Sequence, residues 1–379
     1  MKKIRVVVLS ILVTFILTSP LTIWLLHPET SPRILVVDKT VPHTDYREHA
    51  SLFWVLNHRK VINPRTGNIW RVDRDYLGYY PQNTDTNIKP YSRILQGSDL
   101  NFTDTLFIAD TYGVYTDDLA HAQEQRTHLD YSRLIYGGLS IEEAEAIAHF
   151  ADKGGNVIAE FNTFASPTAG QAREIMENLL RVKWTEWSGR YFRDLASVDD
   201  VPVWARRNWR EQYGSEWNFS GPGFLITHED TRLFVLQTGV DVEEDGLRIV
   251  SDKTKTDPLL NKVAADAPFY YWFDFVQPTA GAEILAGYRL RLTDSGRELM
   301  KRFDLPDAFP AIVVASRKPL IMYLAGDFAD NNVPRGPYYL AGFASSMTIG
   351  GFVERYRDQR VFFWEVYAPL VTNIIKASR

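Results

Sequence analysis

The sequence contains no cysteine, and this absence excludes disulfide bonds, thiolate metal sites and a cysteine nucleophile. It also lacks an excess of basic residues, since the formal net charge is −5, and we therefore expect no nucleic-acid partner. The motifs of serine-hydrolase nucleophile elbows, phosphate-binding loops and dinucleotide-binding folds are absent as well. Serine hydrolases, nucleotide hydrolases and Rossmann dehydrogenases consequently have no support in the sequence.

A long uncharged stretch follows the basic residues at positions 2, 3 and 5. It covers residues 6–26, which matches the roughly 20 apolar residues that a helix needs to cross the hydrocarbon core of a bilayer. A cleavable signal has a shorter apolar core of about 7–15 residues and ends at a small-x-small site, which is not visible here. The positive-inside rule then predicts a cytoplasmic N-terminus and a periplasmic or extracellular remainder.

We therefore predict a single-pass protein of the inner (cytoplasmic) membrane. Residues 1–30 are expected to form the signal-anchor helix and a short linker, and residues 31–379 an extracytoplasmic α/β domain. The alternative is a signal peptide that is cleaved between Thr18 and Thr30. Both alternatives give the domain the same compartment and differ only in the tether.

Short apolar runs that carry a polar residue at or next to their end recur in the predicted domain. They cover residues 33–38, 105–110 and 156–161 and are rich in β-branched side chains. Continuous apolar runs of this length are typical of strands that are buried on both faces, as in a parallel sheet. Because helical patterns lie between them, the sequence predicts a doubly wound, mostly parallel sheet whose ligands bind beyond the carboxyl ends of the strands.

The helical patterns have recognisable ends. One helix is predicted at residues 47–58, and another begins at a capping box formed by Ser140 and Glu143. A third helix is expected to start at Ser166, and a last one near the C-terminus at residues 361–375.

Residues 181–223 interrupt this alternation and hold five of the ten tryptophans. We interpret the segment as a Trp/Arg-rich insertion. Its Trp187, Arg190 and Tyr191 combine an indole, a guanidinium and a phenol, which can stack on sugars and bind acidic substituents. An equally acceptable interpretation is a small satellite core, or a protein interface in a membrane complex.

Two segments resemble a known superfamily. Residues 104–163 read as strand, loop, a helix beginning GLSIEEAEAI, and a strand introduced by KGGNVIAE. This unit resembles the ThuA-like and β-galactosidase trimerisation-domain branches of the class I glutamine amidotransferase-like superfamily. Residues 310–314 and 320–327 are similar to the closing segment of those domains in carbohydrate-active proteins.

The resemblance covers about half of the chain and implies a flavodoxin-like sheet. Amidotransferase activity cannot be carried over, because the catalytic cysteine of that family has no counterpart in this sequence. The resemblance therefore implies either a repurposed site or a non-catalytic pseudoenzyme.

Four carboxylates, Asp38, Asp110, Glu160 and Asp327, are predicted to lie at the ends of strands along one edge of the sheet. Paired carboxylates carry out general acid/base chemistry on glycosidic bonds when their pKa values differ. We predict Asp110 and Glu160 as the acid/base pair. The alternative is structural, because carboxylates at strand ends often accept backbone hydrogen bonds from the next loop or helix.

Further polar and aromatic residues near these strand ends are predicted to bind substrate. The full predicted binding set is Asp38, His49, Tyr112, Asn162, Trp187, Arg190, Tyr191, Asp327 and Asp330. No pair of histidine or carboxylate ligands has a convincing metal-site spacing, so no metal or other cofactor is predicted.

These features lead to a functional hypothesis that depends on fold-level analogy. The chain is expected to be a membrane-anchored component of cell-envelope or exopolysaccharide biosynthesis or export, which binds glycan or assembles a membrane-protein complex without catalysis. The alternative hypothesis is a glycan-modifying hydrolase that uses the carboxylates.

Overall fold

A computed structural model gives the fold of the chain. It describes residues 2–82, 89–119, 132–252, 254, 256–331, 337–344, 347 and 360–378. Within these ranges the chain forms an N-terminal helix, a ten-stranded mixed sheet, a four-stranded antiparallel sheet and a two-stranded ribbon. The predicted α/β class with one long apolar N-terminal helix is confirmed.

The helices and strands have the following bounds. The helices are α1 (Lys2–Leu26), α2 (Arg47–His58), α3 (Gly97–Leu100), α4 (Ile141–Asp152), α5 (Gly170–Leu180), α6 (Val203–Tyr213) and α7 (Asp294–Arg302). A C-terminal helical segment consists of Arg360–Phe362, a π-helical turn at Phe363–Tyr367, and Ala368–Ala377. The strands are β1 (Ile34–Asp38), β2 (Leu77–Tyr80), β3 (Tyr91–Ser92), β4 (Thr105–Asp110), β5 (Val114–Tyr115), β6 (Leu134–Tyr136), β7 (Asn156–Ala159), β8 (Val182–Phe192), β9 (Gly223–His228), β10 (Leu233–Gln237), β11 (Val242–Ser251), β12 (Asp266–Pro268), β13 (Trp272–Pro278), β14 (Glu283–Leu292), β15 (Ala308–Arg317) and β16 (Leu320–Leu324).

The ten-stranded sheet has the order β12-β11-β14-β15-β16-β7-β4-β1-β2-β3. Its five central strands, from β16 to β2, are parallel, as the apolar runs predict. The strands outside this group pair antiparallel. The sheet is therefore parallel at its centre and antiparallel towards both edges. Taken in chain order, the parallel strands lie in the spatial order 2-1-3-4-5, and the order reverses between β1 and β4.

Helices cover the central strands. Helix α2 packs against β4 and the C-terminal helical segment. Helices α4 and α5 pack against each other, and α4 also contacts β7 while α5 contacts β16. The predicted capping box at the start of α4 is present, because Ser140 Oγ accepts from the Glu143 N–H and Glu143 Oε2 accepts from the Ser140 N–H. The start predicted for α5 is wrong. The helix begins at Gly170 with Ala169 as its N-cap, because Thr168 is held in a turn that contacts Leu139.

Residues 181–223, interpreted from sequence as an insertion, are part of the folded core. Strand β8 pairs with both β9 and β13, and these strands form the four-stranded antiparallel sheet with β10. Trp184 and Trp187 are buried in the main core. The three remaining tryptophans of the segment pack with Phe219 around a small second cluster, whereas Trp187, for which a satellite core was the alternative, lies in the main core. The segment is aromatic-rich, but most of it is regular secondary structure and not a loop excursion.

Helix α1 contains one stretch, Ile4–Leu26, that is long and apolar enough to cross a membrane, a property it shares with N-terminal signal sequences. Pro20 lies inside the helix and has no N–H to offer the carbonyl of Ile16. The hydroxyl of Ser19 donates to that carbonyl at 3.0 Å instead. The helix therefore keeps this carbonyl satisfied, which an apolar environment requires.

Candidate functional site

The candidate site lies at the carboxyl ends of the parallel strands, at the point where the strand order reverses. Asp38 ends β1, Asp110 ends β4, and the two residues are partners in the strand register. In open α/β sheets this reversal point is where ligands bind. Gly78 of β2 approaches the backbone of Asp38 so closely that a Cβ would lie 1.6 Å from the Asp38 carbonyl oxygen. The sheet is thus tightly packed against this end of β1.

Asp38 and His49 form a fully buried pair in the site. His49 Nδ1 lies 2.5 Å from Asp38 Oδ2, and His49 Nε2 lies 2.8 Å from the carbonyl oxygen of Val72. A carbonyl accepts only, so Nε2 carries a hydrogen, and a proton must also lie between Nδ1 and the carboxylate. Because both ring nitrogens are engaged, His49 orients Asp38 and has no free nitrogen for a ligand.

Asp110 is held by its own loop and by the loop that follows β1. Its Oδ1 accepts hydrogen bonds of 2.6 Å from the hydroxyl of Thr40 and from the N–H of Tyr112. Burial raises the pKa of Asp110 to about 8, and the neighbouring charges of Asp38 and Asp330 act in the same direction. This carboxyl group is therefore largely protonated at neutral pH.

Glu160 follows β7 and is buried beside the C-terminal helical segment. Its Oε2 accepts from the N–H of Ala329 at 2.8 Å, and its Oε1 accepts from the hydroxyl of Tyr367 at 3.3 Å. Burial raises the pKa of Glu160 to about 8, although both hydrogen bonds favour the ionised form. Glu160 can therefore donate a proton at neutral pH.

Glu48, Asp327 and Asp330 complete the cluster, with one carboxylate oxygen of each within 4.8 Å of the others. Burial is the largest cause that raises the pKa of Glu48 and of Asp327 well above the ordinary range, and the negative charge of Asp330 is the second largest. Burial also raises the pKa of Asp330, to about 6, where the guanidinium groups of Arg47 and Arg190 limit the increase. Asp330 is the member of this group that is ionised at neutral pH.

Three close carboxylates form a set of hard oxygen ligands of the kind that Mg²⁺ or Ca²⁺ prefers. Arg47 already forms an ion pair with Asp330 in this group. The positive charge next to Asp330 is therefore supplied by the chain itself.

Arg190 enters this region from β8 of the second sheet. Its guanidinium lies over the rings of Phe192 and Trp272, at 4.8 and 5.8 Å from their centroids. Burial lowers its pKa, and the carboxylates of Asp330 and Asp327 oppose that effect. Among the described residues it makes no hydrogen bond or ion pair, so its donor groups are free for a ligand.

The other predicted binding residues lie at different distances from the cluster. Tyr112 bonds Asp110 through its backbone and packs its ring 4.9 Å from that of Tyr115. Asn162 has a left-handed backbone, with φ of 63°, and accepts from the Thr111 hydroxyl through its carbonyl oxygen. Tyr191 packs against the rings of Tyr270 and Phe224. These residues border the site through backbone bonds and ring packing.

Trp187 was predicted to contact substrate, but it packs in the core. Its ring centroid lies 4.8 Å from that of His228 and 5.3 Å from that of Phe303, and only 5% of the residue is exposed. A buried indole of this kind contributes to stability and cannot cover a sugar face. We therefore leave Trp187 out of the site.

The structure adds residues that sequence reasoning did not select for the site. Arg47 and Glu48 lie in the first turn of α2, and their position directly after a loop rich in charged residues was the available signal. Tyr367 lies 207 residues from Glu160 along the chain, and no local pattern connects them. Lys39, next to Asp38, forms a buried ion pair of 2.7 Å with Glu143 and thereby fixes α4 to the end of β1.

No family model matches the chain, and no curated protein matches it. Among solved structures, a protein from Bacteroides uniformis described as ThuA-like matches with a TM-score of 0.39 and 10% sequence identity, over 93% of this chain and 92% of that one. Similarity at this level is a distant likeness in structure, and it assigns neither a family nor an activity.

Proposed function

We propose that the chain is a membrane-anchored, extracytoplasmic protein that binds a cell-envelope or exported glycan at the carboxylate cluster of a flavodoxin-like sheet. The observation that carries the proposal is a set of buried carboxyl groups at or just after the carboxyl ends of the neighbouring parallel strands β1, β4, β7 and β16, close enough for their charges to act on one another: Asp38, Asp110, Glu160, Asp327 and Asp330. Protonated and ionised carboxyl groups together offer both donors and acceptors, which is what a polyhydroxylated ligand requires.

The cationic side of the site supports an acidic glycan in particular. Arg190 offers free donors over the Trp272 ring, and its fork geometry suits carboxylate or sulfate substituents. The long N-terminal helix supports attachment to a membrane, because its length and apolar composition suffice for one crossing.

A second candidate function is glycan hydrolysis. It is favoured by the difference between the pKa of Glu160, about 8, and that of Asp330, about 6. At neutral pH this difference leaves one proton donor and one carboxylate base or nucleophile, which is the division of roles in glycosidases. Asp110, with a pKa of about 8, is protonated like Glu160, so the pair Asp110 and Glu160 suits this chemistry less well.

The test is binding of the full-length chain in detergent to a panel of neutral and acidic envelope glycans. Variants Asp327→Asn, Asp330→Asn and Glu160→Gln probe the cluster, and Asp294→Asn at an exposed position serves as the matched control. The proposal expects binding that the cluster variants weaken and the control does not. Release of shorter glycans that is lost in Glu160→Gln would establish hydrolysis, whereas binding to no glycan would reject the proposal.

A further inference from the structure

The outer end of α1 is attached directly to the folded part of the chain. Trp24 Nε1 donates to the carbonyl oxygen of His58 at 3.1 Å, and Lys60 Nζ donates to the carbonyl oxygen of Leu25 at 3.0 Å. The Lys60 ammonium also lies 5.2 Å from the centroid of the Trp24 ring. The C-terminal ends of α1 and α2 are therefore in direct contact.

A third contact lies deeper along α1. The backbone N–H of Ala341 donates to the carbonyl oxygen of Pro20 at 3.0 Å. Val6 is the first residue after the basic residues at the N-terminus. A helix rises about 21 Å from Val6 to Pro20. The hydrocarbon core of a bilayer is about 30 Å thick. If Arg5 lies at the inner interface, Ala341 is therefore level with the outer part of the hydrocarbon layer.

The segment that makes this contact has a suitable composition. Residues 337–344 read PYYLAGFA and contain no charged side chain. The ring of Tyr338 packs on Trp24 with centroids 6.0 Å apart, and Tyr339 is 42% exposed. Tyrosine and tryptophan are enriched where membranes meet water. Two internal bonds, from Leu340 N–H to the Pro337 carbonyl and from Phe343 N–H to the Leu340 carbonyl, reduce the number of free polar groups in the segment.

We propose that residues 337–344 insert into the outer leaflet of a phospholipid bilayer, next to α1. This inference depends on the proposed retention of α1 as an anchor. It adds a second membrane contact, which fixes the orientation of the folded part on the membrane. The hydrogen bond between Ala341 and Pro20 indicates how deep the segment lies, and its aromatic, uncharged composition suits contact with lipid.

The absence of cysteine makes the inference directly testable. Single variants Tyr339→Cys and Leu340→Cys of the full-length chain are labelled with an environment-sensitive fluorophore and reconstituted in phosphatidylcholine vesicles. Val240→Cys, at an exposed turn before β11, is the matched control, and Leu17→Cys in α1 reports insertion of the anchor. Quenching is measured with nitroxide lipids and, separately, with aqueous iodide.

The proposal expects the labels at 339 and 340 to lose most of their fluorescence to nitroxide lipids and to resist iodide, with the opposite result at 240. If nitroxide lipids quench the label at 17 while iodide quenches the labels at 339 and 340, the second membrane contact is rejected and the anchor is supported. Protection of 339 and 340 from both quenchers would mean that a protein partner covers the segment, which also rejects the inference. Iodide quenching at 17 would reject the anchor and the inference together.

Discussion

The hydroxyl of Tyr367 donates a hydrogen bond to Glu160 Oε1 across 207 residues of sequence. The C-terminal helical segment is thereby linked to the end of β7. Burial of the Glu160 carboxyl group follows from this packing, and burial is the largest cause of its raised pKa. The chemistry of the strand edge consequently depends on a segment that is 207 residues away in the sequence.

Replacement of Glu160 by glutamine should make stability less dependent on pH. Glu160 has a pKa of about 8 in the folded chain and about 4.3 when unfolded, so the folded state binds the proton more tightly. The associated stability is complete below about pH 4 and is lost as the pH rises through about 8. Urea unfolding between about pH 5 and 9 should show a shallower decline for Glu160→Gln than for the wild type.

Glutamine suits the site because its oxygen can accept from Ala329 while its amide donates to the Tyr367 oxygen. Asp110 still titrates in the variant, so part of the decline should remain. Glu145→Gln, on the exposed side of α4, is the control and should decline like the wild type. An unchanged slope in Glu160→Gln would contradict the raised pKa.

Removing the imidazole of His49 should destabilise the chain strongly. His49→Phe keeps a ring beside Tyr76 and Phe53 but leaves the buried Asp38 carboxylate without its partner. Loss of one partner of a buried ion pair costs about 3–5 kcal/mol. Chemical unfolding should show a loss of this size, and adding Asp38→Asn should restore part of it. A loss below about 1 kcal/mol would show that the pair is not formed.

Two tryptophans of residues 181–223 should respond differently to truncation. Trp187→Ala removes a core indole and should lower the free energy of unfolding by about 3–5 kcal/mol. Trp209 lies at the smaller cluster and is only partly buried, so Trp209→Ala should cost less. Thermal unfolding of both variants measures the difference. A larger loss for Trp209→Ala would place the main packing of this segment in the second cluster.

Arg190 should matter for binding more than for folding. Among the described residues its guanidinium makes no hydrogen bond or ion pair, and besides its ring contacts it has only longer-range electrostatic attraction to Asp330 and Asp327. Arg190→Gln should therefore change the free energy of unfolding by no more than about 1 kcal/mol. The same variant should weaken binding of acidic glycans and spare neutral ones, as titration calorimetry would show. Arg302→Gln, at the exposed end of α7, is the matched control. Equal weakening for both glycan classes would argue against recognition of acidic groups.

Much of the central fold could be predicted because the information is local. The uninterrupted apolar runs of β1, β4 and β7 and the capping box of α4 each lie within a dozen residues. The edge at which Asp38 and Asp110 meet follows from parallel pairing, since parallel strands bring their carboxyl ends together.

The remaining features depend on long-range pairing. Strand β8 alternates irregularly between buried and exposed positions, so its sequence pattern does not predict a strand. It is paired with β13, some 90 residues later in the chain. Composition likewise cannot tell whether an indole such as Trp187 faces the core or a ligand. The partnership of Glu160 with Tyr367 depends on tertiary packing that no sequence period encodes.

Helix α2 also has a length that matters for function. Arg47 and His49 at its first turn belong to the carboxylate cluster, and His58 at its last turn bonds Trp24 of α1. From Arg47 to His58 the helix rises about 16 Å. If α1 is the membrane anchor, the length of α2 keeps the cluster within about one short helix of the outer end of the anchor. A ligand attached to a membrane lipid would then lie within reach of the cluster while its lipid chains stay in the bilayer.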